Sequence, residues 1–280
     1  MKANTLKIGI LLIAAQVAAT LSVAQTRHQF SIDAAGGLST LSYHKPAAGE
    51  NGTGFGGSFG VGYTFFFSEN FGVHIGAAAA LIQSNYELRT VTEAYPTDGF
   101  QYNYTAENYH ETRQAIFLNI PLMLRFESGW FYASAGVKAG IPLHAGYKNE
   151  VGNLRAFGYY PEADLTLYDP AFMGFGRFTD ISNKGDLELT PAFFAAVEAG
   201  VKWTLSAKLS LYTGLYLDYG VNNIRNTPPQ EQKLIPYNST APSDYRPNSV
   251  LTSSVNGASL ADKITPLAAG IKIGVAFGTK

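Results

Sequence analysis

From Phe55 to Phe67 the chain alternates strictly: Phe55, Gly57, Phe59, Val61, Tyr63, Phe65 and Phe67 fall on one set of positions, and Gly56, Ser58, Gly60, Gly62, Thr64 and Phe66 on the other. A period of two is the signature of a β-strand, whose successive side chains point to opposite faces. Ser68-Glu69-Asn70 predicts a tight turn, after which Phe71, Val73, Ile75, Ala77, Ala79 and Leu81 resume the apolar face. Ile116 to Phe126 and Phe131 to Leu143 form a second pair of strands around the turn Glu127-Ser128-Gly129. Phe193 to Leu205 and Leu209 to Tyr219 form a third around Ser206-Ala207-Lys208. A shorter run at Phe30, Ile32, Ala34, Gly36 and Leu38, and a last one at Leu267, Ala269, Ile271, Ile273, Val275 and Phe277, complete eight predicted strands.

The apolar faces of these strands carry no charge, and the opposite faces carry Gly, Ala and Ser with isolated charged residues. A solvated sandwich face would be more polar than that; the lumen of a narrow barrel would not. The three short turns alternate with longer connections at 43–54, 90–110, 148–186 and 222–263. Short turns at one end and long loops at the other predict an all-β, eight-stranded, antiparallel up-and-down transmembrane barrel. On this reading the turns and both termini are periplasmic and the long loops extracellular.

Composition sharpens the picture. Charged residues make up 15% of the 280, well below the roughly 25% of ordinary soluble domains. The mean hydropathy of −0.01 excludes a bundle of membrane-spanning helices. A net charge of −1 supplies no basic field for nucleic acid, and the absence of Cys excludes disulfides, thiolate metal sites and a Cys nucleophile. At the amino end, Lys2 and Lys7 precede the apolar run Ile8 to Ala19, and Ser22-Val23-Ala24 has the small residues of a cleavage site. Residues 1–24 therefore read as a cleaved signal peptide and 25–280 as the barrel domain.

The segment Ile116–Leu143, IFLNIPLMLRFESGWFYASAGVKAGIPL, resembles the PorT-like outer-membrane β-barrel proteins of Bacteroides-type bacteria, in its I-P-L strand, short turn and A-G-x-K-x-G strand. Gly158-Tyr159-Tyr160-Pro161, Gly174-Phe175-Gly176 and Leu217-Asp218-Tyr219-Gly220 are similar to motifs of the same family. The resemblance covers most of the mature chain and implies fold and location, with no enzymatic role. Gly278-Thr279-Lys280 after Phe277 departs from the usual carboxyl-terminal ending of such barrels.

Three sets of residues are candidates for function. Asp33, Arg113, Arg125, Lys138, Glu198, Lys202, Asp218 and Lys272 are the expected lumen charges. Lys138–Glu198 is the leading pair and Asp33–Lys272 the next, either plugging the lumen or forming a selectivity ring or a buried acid/base pair. Phe30, Phe67, Phe71, Phe126, Phe131, Trp203 and Phe277 lie outward at the short-turn ends and would form a periplasmic aromatic girdle. Tyr95, Phe100, Tyr102, Tyr104, Tyr109, Tyr159, Tyr160 and Phe175 sit in the long connections, where they would either recognise a partner or pack the loops into a cap. The Pro-rich stretch 222–263 reads as extended or mobile. None of the five His has metal-site spacing, and His110 and His144 are the only loose candidates for a hydrolase.

No cofactor is expected. The expected partners are outer-membrane lipid, the barrel-assembly machinery during biogenesis and a protein at the surface loops. A structural or binding barrel leads, with a narrow pore or transport accessory and a lipid-modifying enzyme as alternatives.

Overall fold

A computed structural model describes residues 27–279 except 45, 47, 98, 227–231 and 262, so the signal-peptide reading of 1–24 lies outside the described residues. The chain forms β1 (Arg27–Thr40), β2 (Glu50–Phe66), β3 (Phe71–Pro96), β4 (Gln101–Ser128), β5 (Phe131–Tyr160), β6 (Leu165–Leu167), β7 (Gly176–Asp186), β8 (Ala192–Ser206), β9 (Leu209–Gly220), β10 (Gln232–Lys233), β11 (Ser253–Val255), β12 (Ala258–Ser259) and β13 (Leu267–Thr279). The sheet runs β4-β3-β2-β1-β13-β9-β8-β5, and an additional pairing of β4 with β5 closes it. The result is an eight-stranded antiparallel barrel, and closure removes the free edges that would otherwise invite aggregation.

Every barrel strand places its apolar set outside. Phe30, Phe59, Ile75, Leu122, Val137, Val197, Leu215 and Ile273 all stay exposed, whereas their sequence neighbours turn into the lumen. The lumen face is small where opposing walls meet. A Cβ on Gly62 would sit 2.3 Å from the His74 ring, so glycine there makes room for that imidazole.

Above the apolar belt the structure departs from the expectation of long loops. Segments 90–110 and 148–186 are mostly strand. β3, β4 and β5 are 26, 28 and 30 residues long, against the roughly 9–11 needed to cross a bilayer. Their pairing continues to Pro96↔Gln101 and Gln101↔Tyr159. β7 then takes over from β8 along the upper half of β5, from Gly146↔Asp186 to Ala156↔Gly176. A four-stranded wall thus extends above the belt for the 11 residues of β7, about 36 Å along the strands at 3.3 Å per residue. The alternation of glycines, tyrosines and threonines in these segments is strand periodicity that the high polar content obscures.

Halfway up, the wall changes phase. On β3 the buried positions are even-numbered through Leu88 and odd-numbered from Val91; on β4 they are even through Ala106 and odd from Tyr109. β5 and β7 switch at Gly152 and Asp180. The register places Arg89, Asn108, Gly152 and Asp180 side by side across the four strands. Asn108 and Asp180 adopt φ of 56°, the left-handed region that Asn and Asp tolerate better than other side chains. One extra residue per strand at one level keeps the wall's apolar side facing the same way.

The stretch expected to be extended or mobile packs against that side. Its described residues include Leu234, Ile235, Tyr245, Val250, Val255 and Leu260, all buried in one apolar cluster with the wall. β10, β11 and β12 form a small sheet within it. A second cluster, with Leu41, Ile82, Phe117, Phe194, Leu251 and Ile264, joins this head to the barrel rim.

Candidate functional site

The lumen carries a layered charge network. In the middle layer the Glu198 carboxylate lies 2.9 Å from Lys272 Nζ, 3.6 Å from Lys138 Nζ and 3.9 Å from Arg125 Nη2. Lys138 is closer to Asp218, at 2.8 Å. The expected Lys138–Glu198 contact therefore exists as the longer arm of a wider cluster. The expected Asp33–Lys272 pair does not form: Lys272 turns to Glu198, and Asp33 accepts a hydrogen bond from Ser31 at 2.9 Å. Glu198 on β8 sits between β5 and β9, and the tilt of the strands brings Lys272 of β13 within reach.

On the floor of the lumen the sequence marked Lys202 as inward but missed its partner Glu127 and Arg27 beside it. Glu127 belongs to β4 and points inward instead of sitting in the turn. It accepts from Lys202 Nζ at 2.7 Å and from the Tyr212 hydroxyl at 2.8 Å, and also pairs with Arg27. Phe66 is fully buried there under the Arg27 guanidinium. Arg125 lies over the rings of Tyr132 and Tyr212. The space left among Asp33, His74, Asn119, Lys138, Glu198 and Lys272 is about 40 Å³, room for water. Arg113, expected in this network, instead lies at the base of the head.

Outside, Phe30, Phe71, Phe131, Trp203 and Phe277 are exposed at the short-turn end, Phe71 against Phe126 with ring centroids 5.1 Å apart. Phe126 and Phe67 are half-buried, and Phe67 lies in the β2–β3 turn beyond the strand. Trp130, exposed in the β4–β5 turn, joins the set although the alternation did not mark it.

In the head the aromatic residues expected on loops are mostly interior. Tyr95, Phe100, Tyr102, Tyr104, Tyr109 and Phe175 are buried in the cluster between the wall and the return segment, residues 232–261, which lies against it. Tyr160 stacks half-buried on Phe100, and Tyr159 donates to Asp164. These eight side chains do not present a common aromatic surface.

Two buried carboxylates, neither anticipated, bind the return segment to the wall. Glu93 accepts from Lys233 Nζ at 2.6 Å, the Tyr104 hydroxyl at 2.8 Å and the Asn256 backbone N–H at 3.0 Å. Glu111 accepts from the Tyr109 hydroxyl at 2.6 Å, Ser249 Oγ at 2.9 Å and the Val250 backbone N–H at 3.1 Å. Burial pushes the Glu111 carboxyl above the usual carboxylate range, against the pull of Arg113 and these donors. In the sequence both residues look like surface acids on a polar loop; only their even spacing with the tyrosines hinted otherwise.

Among the described residues no group of three or more His, Asp or Glu is arranged to hold a metal ion, and His110 and His144 are exposed or nearly so with no serine partner. No protein-family model matches the chain, and no curated protein matches it in sequence. Among solved structures, Neisserial surface protein A (NspA) is similar with a TM-score of 0.30 and 9% identity, over 90% of this chain and 98% of that one. Ail, the attachment invasion locus protein of Yersinia pestis, has a TM-score of 0.25 and 7% identity over 91% and 99%. The outer membrane protein OprG from Pseudomonas aeruginosa has 0.31 and 10% over 91% and 96%. At these values the likeness carries no argument about what the chain does.

Proposed function

We propose that this protein is an outer-membrane barrel with a sealed lumen, whose role is to hold a rigid folded head at the cell surface as a structural or binding element. The observation that carries the reading is the combination of a closed sheet with an uninterrupted exposed apolar exterior and an ion-paired interior. Such an exterior suits hydrocarbon, and such an interior leaves no path for solutes. The PorT-like motifs of Ile116–Leu143 agree with that placement. In this proposal the short connections at 67–70, 129–130 and 207–208 are the periplasmic turns and the wall is outside, a reading supported by short turns gathering at one end of the barrel and long segments at the other.

The surface the head offers for binding is its solvent face and far tip, where Leu165, Tyr168 and Phe172 are exposed. The reading assigns no enzymatic activity. The test is paired. Purified protein in planar bilayers is expected to show no steady conductance, and epitope tags after Asp164 are expected to be labelled on intact cells while tags at Glu69 are not. Steady conductance of the unmodified protein overturns the sealed lumen, and surface labelling at Glu69 overturns the orientation.

A further inference from the structure

At the far end of the wall, Arg155 and Phe157 follow each other on the solvent side of β5. The register sets Arg155 directly opposite Thr105 of β4 on one side and Arg177 of β7 on the other. Thr92 of β3 completes the row, its hydroxyl 3.1 Å from that of Thr105. Beside the two arginines lies an open hollow of about 340 Å³, lined by Arg155, Arg177, Gly176, Tyr168 and Asp169. Tyr168 is exposed, and its ring centroid lies 5.4 Å from that of Phe157, so the two rings stand side by side at the edge of the hollow.

The arginines are the informative pair. Like charges directly opposite each other on neighbouring strands destabilise a sheet. Both guanidinium groups are exposed, and neither makes an ion pair among the described residues, with Asp169 or with any other acid. Folding gives no reason to set them together. An anionic ligand does, because a carboxylate between two guanidinium groups gains charge-assisted hydrogen bonds from both. Asp169 limits which anion fits: its carboxylate repels a densely charged chain but accepts hydroxyl donors. Exposed aromatic rings offer flat contact area at little entropic cost, which suits the apolar face of a sugar ring.

We propose that the far end of the wall is a binding site for an extracellular acidic polysaccharide of the uronic-acid type. One carboxylate sits between Arg155 and Arg177. The sugar ring that carries it lies against Tyr168 with a hydroxyl donating to Asp169, and the chain runs across the sheet face past Thr105. The site lies about 40 Å along β5 from Leu143 at the top of the apolar belt, away from the headgroups of the membrane that holds the barrel. The proposal rests on the reading of the head as a binding element at the cell surface and names its ligand class.

The experiment is titration calorimetry of the full-length protein in detergent with oligogalacturonate and oligomannuronate, with their methyl esters, and with polyglutamate and single-stranded DNA. At least one uronate is expected to bind saturably, about tenfold or more tighter than its uncharged ester. Arg155→Gln and Arg177→Gln are each expected to weaken it about tenfold without lowering thermal stability, since each removes a like-charged neighbour. Tyr168→Ala is expected to weaken it on the order of threefold, again with unchanged melting. Absence of saturable binding by both uronates overturns the proposal, as does an ester that binds as tightly as its acid. Unchanged affinity in both arginine variants overturns it too, and so does polyglutamate or DNA binding as tightly as the uronate, which would make the patch a general anion surface. Because purified protein is titrated, failure here leaves the conductance and tag-labelling outcomes standing, and their failure leaves this titration standing.

Discussion

Glu198 shows how one interior carboxylate organises a barrel. It faces Lys272, Lys138 and Arg125, whereas Lys138 has a second acceptor in Asp218. Removing different members should therefore have unequal effects. Glu198→Leu leaves cations without a counter-charge and is expected to cost about 3–5 kcal/mol. Lys272→Met is expected to cost distinctly less, because Glu198 keeps Lys138 and Arg125 and no other carboxylate pairs with Lys272 among the described residues. Urea unfolding followed by heat-modifiable gel migration measures both, and equal losses would show that Lys138 and Lys272 do not share the load as the distances imply.

Glu111 makes a prediction in pH. Burial raises its folded-state affinity for a proton above that of the unfolded chain, so the folded head binds more protons. By linkage its contribution to stability is greatest at acid pH and declines as pH rises from the ordinary carboxylate range into the raised one. Hydrogen exchange of residues 249–255 is expected to be slower near about pH 5 than near about pH 8 after correction for intrinsic rates. Glu111→Gln is expected to flatten that difference.

At the scale of elements, the phase change across β3, β4, β5 and β7 decides whether the wall has an apolar side at all. Without it, Tyr102 and Tyr104 would face the opposite way from Tyr109, and the head would have no continuous core. Asn108 pays for this with a left-handed backbone. Asn108→Gly is expected to be neutral or slightly stabilising and Asn108→Val to destabilise the head by about 1–2 kcal/mol, read by protease sensitivity of the return segment. The same wall makes 93–107 a poor place to shorten. Replacing it by a Gly-Ser turn removes Tyr95, Phe100, Tyr102 and Tyr104 from the core, together with the Glu93 anchor. The shortened chain is expected to keep heat-modifiable migration, since the belt is untouched, and to lose protection of residues 232–261 against trypsin. Continued protection would mean that the return segment docks without the upper wall.

The whole molecule is two cores stacked end to end. The barrel faces outward to an apolar medium and inward to ion pairs; the head reverses this, with aromatic residues inside and polar residues toward solvent. The junction between them, where Phe117, Phe194, Leu251 and Ile264 meet, packs across the top of the lumen, and Phe66 and Glu127 lie buried at its bottom; in the proposed sealed barrel these are the two ends. Replacing Phe194 and Leu251 together by Ala opens only the upper seal. Conductance is expected to stay absent in that variant, because the middle layer around Glu198 still fills the bore.

What the sequence by itself determined was the barrel. Eight runs of period-two alternation are local, and each strand's faces follow from its own residues whatever its neighbours are; short turns such as Ser68-Glu69-Asn70 are local too. The inward facing of Arg125, Lys138, Glu198, Lys202, Asp218 and Lys272 was legible for the same reason, since facing is a property of position along a strand, whereas Glu127 looked like part of a turn and Arg113 belongs to the head. Their partners were not, because strand tilt and register join residues far apart in the chain: Lys272 with Glu198, and Arg27 with Glu127. Only the tertiary structure decided the head. Tyr102, Tyr104 and Glu93 sit in polar, charged sequence whose alternation breaks at Asn108, and a segment with several prolines looks unfit to pack. Each half exposes its apolar residues until the other covers them, so the head's core exists only once the return segment at 232–261 is laid against the wall.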